Sequence, residues 1–454
     1  IDHGYASVKV KDADEYKKTE PEGFVRDPAR WVIFPRLSYQ AHQAIEQRNA
    51  ELGTVLSAYP RNSIEPAEQA DCRRGIATQG ISYSYVAETL SERGEKAPRV
   101  LKVATPFPFP EKLAVEFLQG LDEVLCIEEL DPVIERELIF LCGKYQLPVK
   151  IRGKLTGDVK TAGENTRDTV YDDIAKFMGW PAAEKDTEAE TLPPLPVRPP
   201  VLCAGCPHRA SFYEAKVATK DCEKAIYCGD IGCYTLGNAM PLDMVDTCLC
   251  MGAGIDIAQG IGAVTPDMKC FAFVGDSTFF ASSITGIING VYNQADLTVC
   301  ILDNSTTAMT GHQPHPGTGH TMMGQIVDKV SIEDTLHGIG VKTVRTVDPL
   351  DLDRAIATVK EVAAEAGVKA IIFKSPCIAI VKPLGKAEVL QDACRKCKKC
   401  IREIGCPGIV VEDGKIMIDA SQCTGCGICA QICPFDAIEV TPFKKTVTDK
   451  GGQK

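Results

Sequence analysis

Eight cysteines near the carboxyl end fall into two runs, CRKCKKCIREIGCP and CTGCGICAQICP, each closed by Cys-Pro. The first supplies Cys394, Cys397, Cys400 and Cys406, the second Cys423, Cys426, Cys429 and Cys433. Thiolates repeated at such short spacings are ligands for metal or for iron–sulfur clusters, and a chain with 21 cysteines and no secretory features uses them that way rather than as disulfides. A shorter pair, Cys203 and Cys206, has a spacing open to half a zinc knuckle, a redox pair or chance. A third constellation carries oxygen instead of sulfur. Asp276, in the GDS of Gly275 to Ser277, and Asn304 offer the hard oxygens that Mg²⁺ accepts alongside phosphate oxygens.

What must position these residues is a strand–helix–strand unit. An apolar run, Cys270 to Val274, turns at Gly275 into an amphipathic segment from about 279 to 292, and a second apolar run follows at 297–302. Such units build parallel sheets, and ligands sit beyond the carboxyl ends of their strands, where Asp276 and Asn304 fall. The helix start after Gly275 adds backbone N–H groups for an anion. A similar alternation fills 69–183, with strands expected at 99–104, 123–128 and 147–151. Here GIATQGIS, Gly75 to Ser82, reads as a Gly-bounded loop between strand and helix. The charged, then Pro-rich, stretch 184–200 reads as a linker, and IVVEDGKIMID as a hairpin turning at Asp413-Gly414. Residues 41–59 form a helix in a connector, 1–68. The remaining divisions are 201–388, 389–442 and a tail, 443–454. The fold class is therefore α/β, two doubly wound domains followed by a small α+β cysteine domain.

Composition bounds the function. The 454 residues carry a formal net charge of −11, which argues against a nucleic-acid surface. No apolar run reaches membrane-spanning length and the amino terminus is too polar for a signal peptide, so a cytoplasmic protein with no membrane partner is expected.

The cysteine runs resemble the bacterial ferredoxin pattern, in which three cysteines of a run bind one cubane and the fourth crosses to the other. That resemblance implies one [4Fe-4S] cluster on Cys394, Cys397, Cys400 and Cys433, and a second on Cys423, Cys426, Cys429 and Cys406. The first run departs from it, with five residues between Cys400 and Cys406. GDS with Asn304 resembles the thiamine diphosphate motif, with Ser277 where Gly is common. MTGHQ, Met309 to Gln313, resembles the signature of 2-oxoacid:ferredoxin oxidoreductases. From this family follow a thiamine diphosphate domain at 201–388, a transketolase C-terminal-like domain at 69–183 and a ferredoxin domain at 389–442.

The resemblance further implies Mg²⁺ on Asp276, Asn304 and the Thr306 carbonyl, with Gly252, Gly254, Gly275, Ser277 and Met309 also binding the cofactor. His312 and Gln313 are the expected catalytic contacts, in a loop that also holds His315 and His320. A third cluster, nearest the cofactor, would use Cys203, Cys206, Cys233 and Cys377, with zinc as the rival occupant and Cys228 as the rival ligand. CPHR, Cys206 to Arg209, resembles the large subunits of the indolepyruvate branch. The implied reaction is oxidative decarboxylation of an aryl 2-oxoacid to its coenzyme A ester, with electrons passed singly to ferredoxin. A smaller beta subunit is the implied partner, and the pyrimidine-binding domain is expected upstream of Ile1. The alternatives are an electron-transfer subunit whose thiamine domain is not catalytic, and a family member with another 2-oxoacid.

Overall fold

The computed structural model describes residues 10, 12, 15–16, 20, 23–66, 71–91, 97–181, 197, 199–383 and 385–443. Of the expected linker only 197, 199 and 200 are among them, and the tail beyond 443 lies outside them. The chain divides into two compact units, 1–194 and 195–454. None of the described helices is long and apolar enough to cross a membrane.

In the first unit the helix Pro35–Ser57 precedes a five-stranded sheet in the order Ser63–Glu65, Arg99–Val103, Arg74–Gln79, Glu123–Ile127, Lys150–Arg152. The first pairing is antiparallel and the others are parallel. GIATQ is strand rather than loop, a correction to the sequence reading: Arg74–Gln79 is the central strand and the helix Gly80–Ser91 starts directly after it. Gly75 is there for space, since a Cβ would stand 2.7 Å from both Leu121 and Phe117 side chains.

The second unit is built on a parallel sheet in the order Ala225–Cys228, Lys269–Gly275, Leu297–Asp303, Val368–Lys374, Thr343–Val347. Alternation along the strands feeds two cores. Phe271 and Phe273 face one, with Leu302 and Phe373. Cys270, Ala272 and Val274 face the other, with Ile255 and Ile287 of the covering helices. A sheet buried on both faces explains why 297–303 is apolar almost throughout. The segment 276–292 is helical, with a π turn at Phe279–Ser283 just after Asp276.

The cysteine-rich region pairs Gly385–Val389 with Ile438–Pro442 and Ile409–Glu412 with Lys415–Ile418. Asp413 and Gly414 turn that hairpin with φ of 47° and 73°, as the expected Asp-Gly turn requires. Its core residues Ile404, Ile428 and Ile432 continue the first core of the sheet, so the two pack as one body.

One buried acid in that body has no partner. Glu214, on the helix Pro207–Ala218, is fully buried, and neither carboxyl oxygen makes a hydrogen bond. Burial first, then the nearby Asp348 and Asp351, raises its pKa from 4.5 to about 10. The folded state therefore binds a proton that the unfolded chain releases above its ordinary pKa. Stability contributed by the neutral acid is full below pH 4.5 and is lost as pH rises towards 10, with a slope of up to about 1.4 kcal/mol per pH unit. Glu214→Gln should flatten this dependence. The melting temperature of the variant relative to the parent should climb steadily between pH 5 and 9, and parallel curves would contradict the neutral assignment.

Candidate functional site

The carboxyl ends of Lys269–Gly275 and Leu297–Asp303 lie side by side, Gly275 opposite Leu302. Asp276 leaves the first strand and Asn304 the second, and both are buried. Asp276 Oδ1 accepts from Ser277 N at 2.8 Å, whereas Oδ2 has no hydrogen-bond partner. His315 Nε2 approaches that oxygen to 3.1 Å but out of line for a hydrogen bond, so both atoms stay unsatisfied. Asn304 Oδ1 accepts from Thr306 N at 3.3 Å, and its amide donates to His208 Nε2 at 3.2 Å. Burial pushes His208 down to about 4 against the pull of Asp276, which keeps the ring neutral. Asp303 lies close enough to Asp276 to share a hydrogen bond. Burial and that neighbouring charge raise the Asp303 pKa, with Lys374 at 3.6 Å opposing. Two adjacent carboxyl groups with a buried orphan oxygen suit a divalent cation, which would supply the missing partner.

Asp276 and Asn304 open onto a cavity also lined by His208, Cys233, Tyr234, Met251 and the loop 306–310. Tyr234 donates to Asp230 at 3.0 Å and lies 3.1 Å from Thr278 Oγ1. Its ring crosses the GDS turn so closely that a Cβ on Gly275 would meet it at 2.6 Å. Asp230 also accepts from Gly252 N at 2.9 Å and Ile231 N at 2.6 Å, which fixes the second glycine turn against the cavity wall. Gly252 has φ +91°, and a Cβ on Gly254 would lie 2.5 Å from Gly229 O, so close packing accounts for that glycine. Ser277, Thr306 and Met309 line the cavity. His312 and Gln313 do not: Gln313 bonds back to Thr310 at 2.6 and 2.7 Å and His312 is exposed. His208, Tyr234, Asp230 and Asp303, unassigned in the sequence reading, are nearer the centre.

The thiols fall into three groups. Cys400 interacts electrostatically with Cys397, Cys433 and Cys394. Cys429 interacts with Cys426, Cys406 and Cys423, and more weakly with Cys400. Cys233 interacts with Cys377 and Cys203, while Cys206 is tied to Cys203. Cys377 N donates to Asn304 O at 2.9 Å, so the late Ser-Pro-Cys is stitched to the oxygen site. Cys228 stands apart, its thiol facing Thr247 and Asp246. Among the described residues no three His, Cys, Asp or Glu close around a single metal ion. Arg209 sits between the groups, feeling Cys406, Cys206, Cys426 and Cys203.

Comparison with known proteins agrees with this division. The C-terminal TPP binding domain of thiamine pyrophosphate enzymes matches residues 230–372, and the 4Fe-4S binding domain matches 416–439. Indolepyruvate oxidoreductase subunit IorA of Methanothermobacter thermautotrophicus is 37% identical over 425 residues, covering 92% of this chain and 68% of that protein. The same-named protein of Thermococcus kodakarensis is 37% identical over 450 residues, covering 93% and 68%. A 2-oxoglutarate synthase subunit KorB from Archaeoglobus fulgidus is 30% identical over 26% of the chain and 46% of its own length. With that identity over more than two thirds of those relatives' length, the chain belongs to the indolepyruvate oxidoreductase subunit IorA family.

Proposed function

We propose that this protein oxidises 2-oxoacids, aryl ones in particular, with thiamine diphosphate and Mg²⁺ at the Asp276 site, and passes the electrons through three [4Fe-4S] clusters to ferredoxin. The carrying observation is that Asp276, with its unpartnered Oδ2, and Cys233 line one cavity. When bound, thiamine diphosphate supplies the electron sink that decarboxylation of a 2-oxoacid needs. Asp276, Asn304 and the Thr306 carbonyl would hold the cation on its diphosphate. Neutral His208 orients the Asn304 amide, and Tyr234 with Asp230 fixes the turn of Gly252. Cys203, Cys206, Cys233 and Cys377 would bind the cluster beside the cavity, Cys423, Cys426, Cys429 and Cys406 the next, and Cys394, Cys397, Cys400 and Cys433 the last. A chain of one-electron centres beside a two-electron donor divides the oxidation into single steps.

The aryl preference draws support from the cavity wall. Ile231, Met251, Leu302 and Met309 line it with Tyr234, and no Lys or Arg is among its described lining residues. A second carboxylate on the substrate would meet no Lys or Arg there, whereas an indole or phenyl ring buries apolar area. Coenzyme A as acyl acceptor, a smaller beta subunit and a cytoplasmic setting complete the proposal.

Anaerobic stopped-flow tests it. Indolepyruvate mixed with the cluster- and thiamine-loaded protein and its partner, without coenzyme A, should bleach the iron–sulfur absorbance, and pyruvate or 2-oxoglutarate should do so at least about tenfold more slowly, the discrimination that roughly 1.4 kcal/mol supplies. Equal rates would remove the aryl preference. No bleaching by any 2-oxoacid would leave an electron-transfer subunit.

A further inference from the structure

The segment 390–404, LQDACRKCKKCIREI, carries five basic residues against two acids in a chain of net charge −11. Arg395, Lys396, Lys398 and Arg402 are exposed and Lys399 is half-buried. No ion pair to an acid engages any of the five among the described residues. Arg402 donates instead to the Cys397 carbonyl at 2.7 Å. Arg395, Lys398 and Lys399 line a hollow together with Cys394, Cys397, Cys400, Cys433 and Phe435. Phe435 is 44% exposed, and Cys397 is exposed too. The basic residues thus rim the thiols of one group, with an aromatic ring open to solvent beside them.

The other group of the cysteine-rich region is placed differently. Cys426 is mostly buried and faces Arg209, whose charge also meets Cys203 and Cys206. Its own run, CTGCGICAQIC, contains no basic residue. One group therefore faces Arg209 and the Cys203–Cys206 pair, and the other faces solvent under a basic rim.

We propose that the Arg395, Lys396, Lys398, Lys399 and Arg402 face, centred on Phe435, is the docking surface for an acidic one-electron carrier protein, and that the cluster on Cys394, Cys397, Cys400 and Cys433 is the exit for electrons. This rests on the oxidoreductase reading for the source of the electrons. In each encounter that cluster is oxidised by one electron and the carrier reduced by one, with no bond made or broken. Transient redox complexes are small, and charge complementarity supplies their encounter rate and orientation rather than a large buried area. A net-acidic protein that gathers five free basic charges around one redox centre steers an acidic partner there and repels it elsewhere.

The test is the Kd of a purified acidic 2[4Fe-4S] ferredoxin, oxidised and anaerobic, for the cluster-loaded protein across a series of salt concentrations. Reversing two rim charges, Lys396→Glu with Lys398→Glu, should weaken Kd about tenfold at low salt and flatten its salt dependence. Lys342→Glu, at the opposite end of the strand Thr343–Val347 from Leu350, whose carbonyl accepts from Gln431, should leave both unchanged. Lys396 and Lys398 have φ of 53° and 59°, which Asn tolerates well. If the double reversal lowers iron content, the Asn pair replaces it, with a loss of about threefold expected from neutralising two rim charges. Unchanged binding in the iron-replete variant, or an equal loss from Lys342→Glu, overturns the proposal. Binding of the oxidised carrier needs no 2-oxoacid. Failure of the bleaching experiment with charge-sensitive binding intact therefore condemns the oxidoreductase reading and not the docking face.

Discussion

Asp276→Asn should abolish 2-oxoacid-driven bleaching of the clusters while making the cofactor-free protein no less stable. The two effects separate because the carboxylate is unpartnered at Oδ2 and stands beside a second acid, Asp303, whose pKa it raises. Without a cation the site holds adjacent acids against each other, and an amide at 276 relieves that. With a cation the same charge is indispensable: at about 4 Å and an effective dielectric near 20, a pair of unit charges is worth about 4 kcal/mol, or roughly a thousandfold in affinity. The clean readout is thermal unfolding with and without magnesium and thiamine diphosphate. The parent protein should gain about 2.7 kcal/mol at a hundredfold excess over its Kd, and the variant nothing measurable at the same concentrations. A variant that binds the pair normally yet fails to bleach would move Asp276 from cation ligand to some later step.

Where this site lies was legible in the sequence because it depends on the ends of two adjacent strands. Apolar runs bounded by Gly275 and Asn304 fix which residues leave the sheet, and parallel pairing of neighbours in a strand–helix–strand unit does the rest. The two carboxyl-terminal cysteine runs were legible for a similar reason, since their pattern is local and repeated. What could not be read was set by contacts across long separations. Gly75 looks like part of a loop until Phe117 and Leu121 are seen to occupy the space of its Cβ. His208 sits on the helix after Cys206, 96 residues from the Asn304 amide it accepts from. His312 and Gln313 belong to a loop whose first half reaches the cavity and whose second half bonds to itself, with positive φ at Ser305, Gly311 and His312. A motif spans both halves without saying which one points inward.

Arg209→Met should cost about 3–5 kcal/mol of stability, the range for leaving a buried charged hydrogen-bond network half made. Arg209 is 3% exposed. Nη1 donates to the carbonyls of Ile404 at 2.5 Å and Gly405 at 3.0 Å, and Nη2 to those of Leu202 and, at 3.3 Å, Cys203. One side chain thus ties the start of the thiamine-type domain to the helix Lys399–Ile404 of the cysteine-rich region. Four carbonyls would lose their donor at once, each costing about 1–3 kcal/mol if it stays dry. The same charge lies among Cys203, Cys206, Cys406 and Cys426, so it would also offset the negative charge that a cluster bound by these thiols gains on reduction. Arg209→Lys divides the two roles. A lysine retains the charge but has no planar fork to reach two pairs of carbonyls. It should therefore lower the melting temperature nearly as much as Met while leaving the cluster potentials close to those of the parent, and Met alone should shift the potentials negative in an anaerobic redox titration followed by EPR. Equal potentials in all three proteins would confine Arg209 to joining the domains; a shift in Met that Lys restores would make CPHR a device for both joining and wiring them.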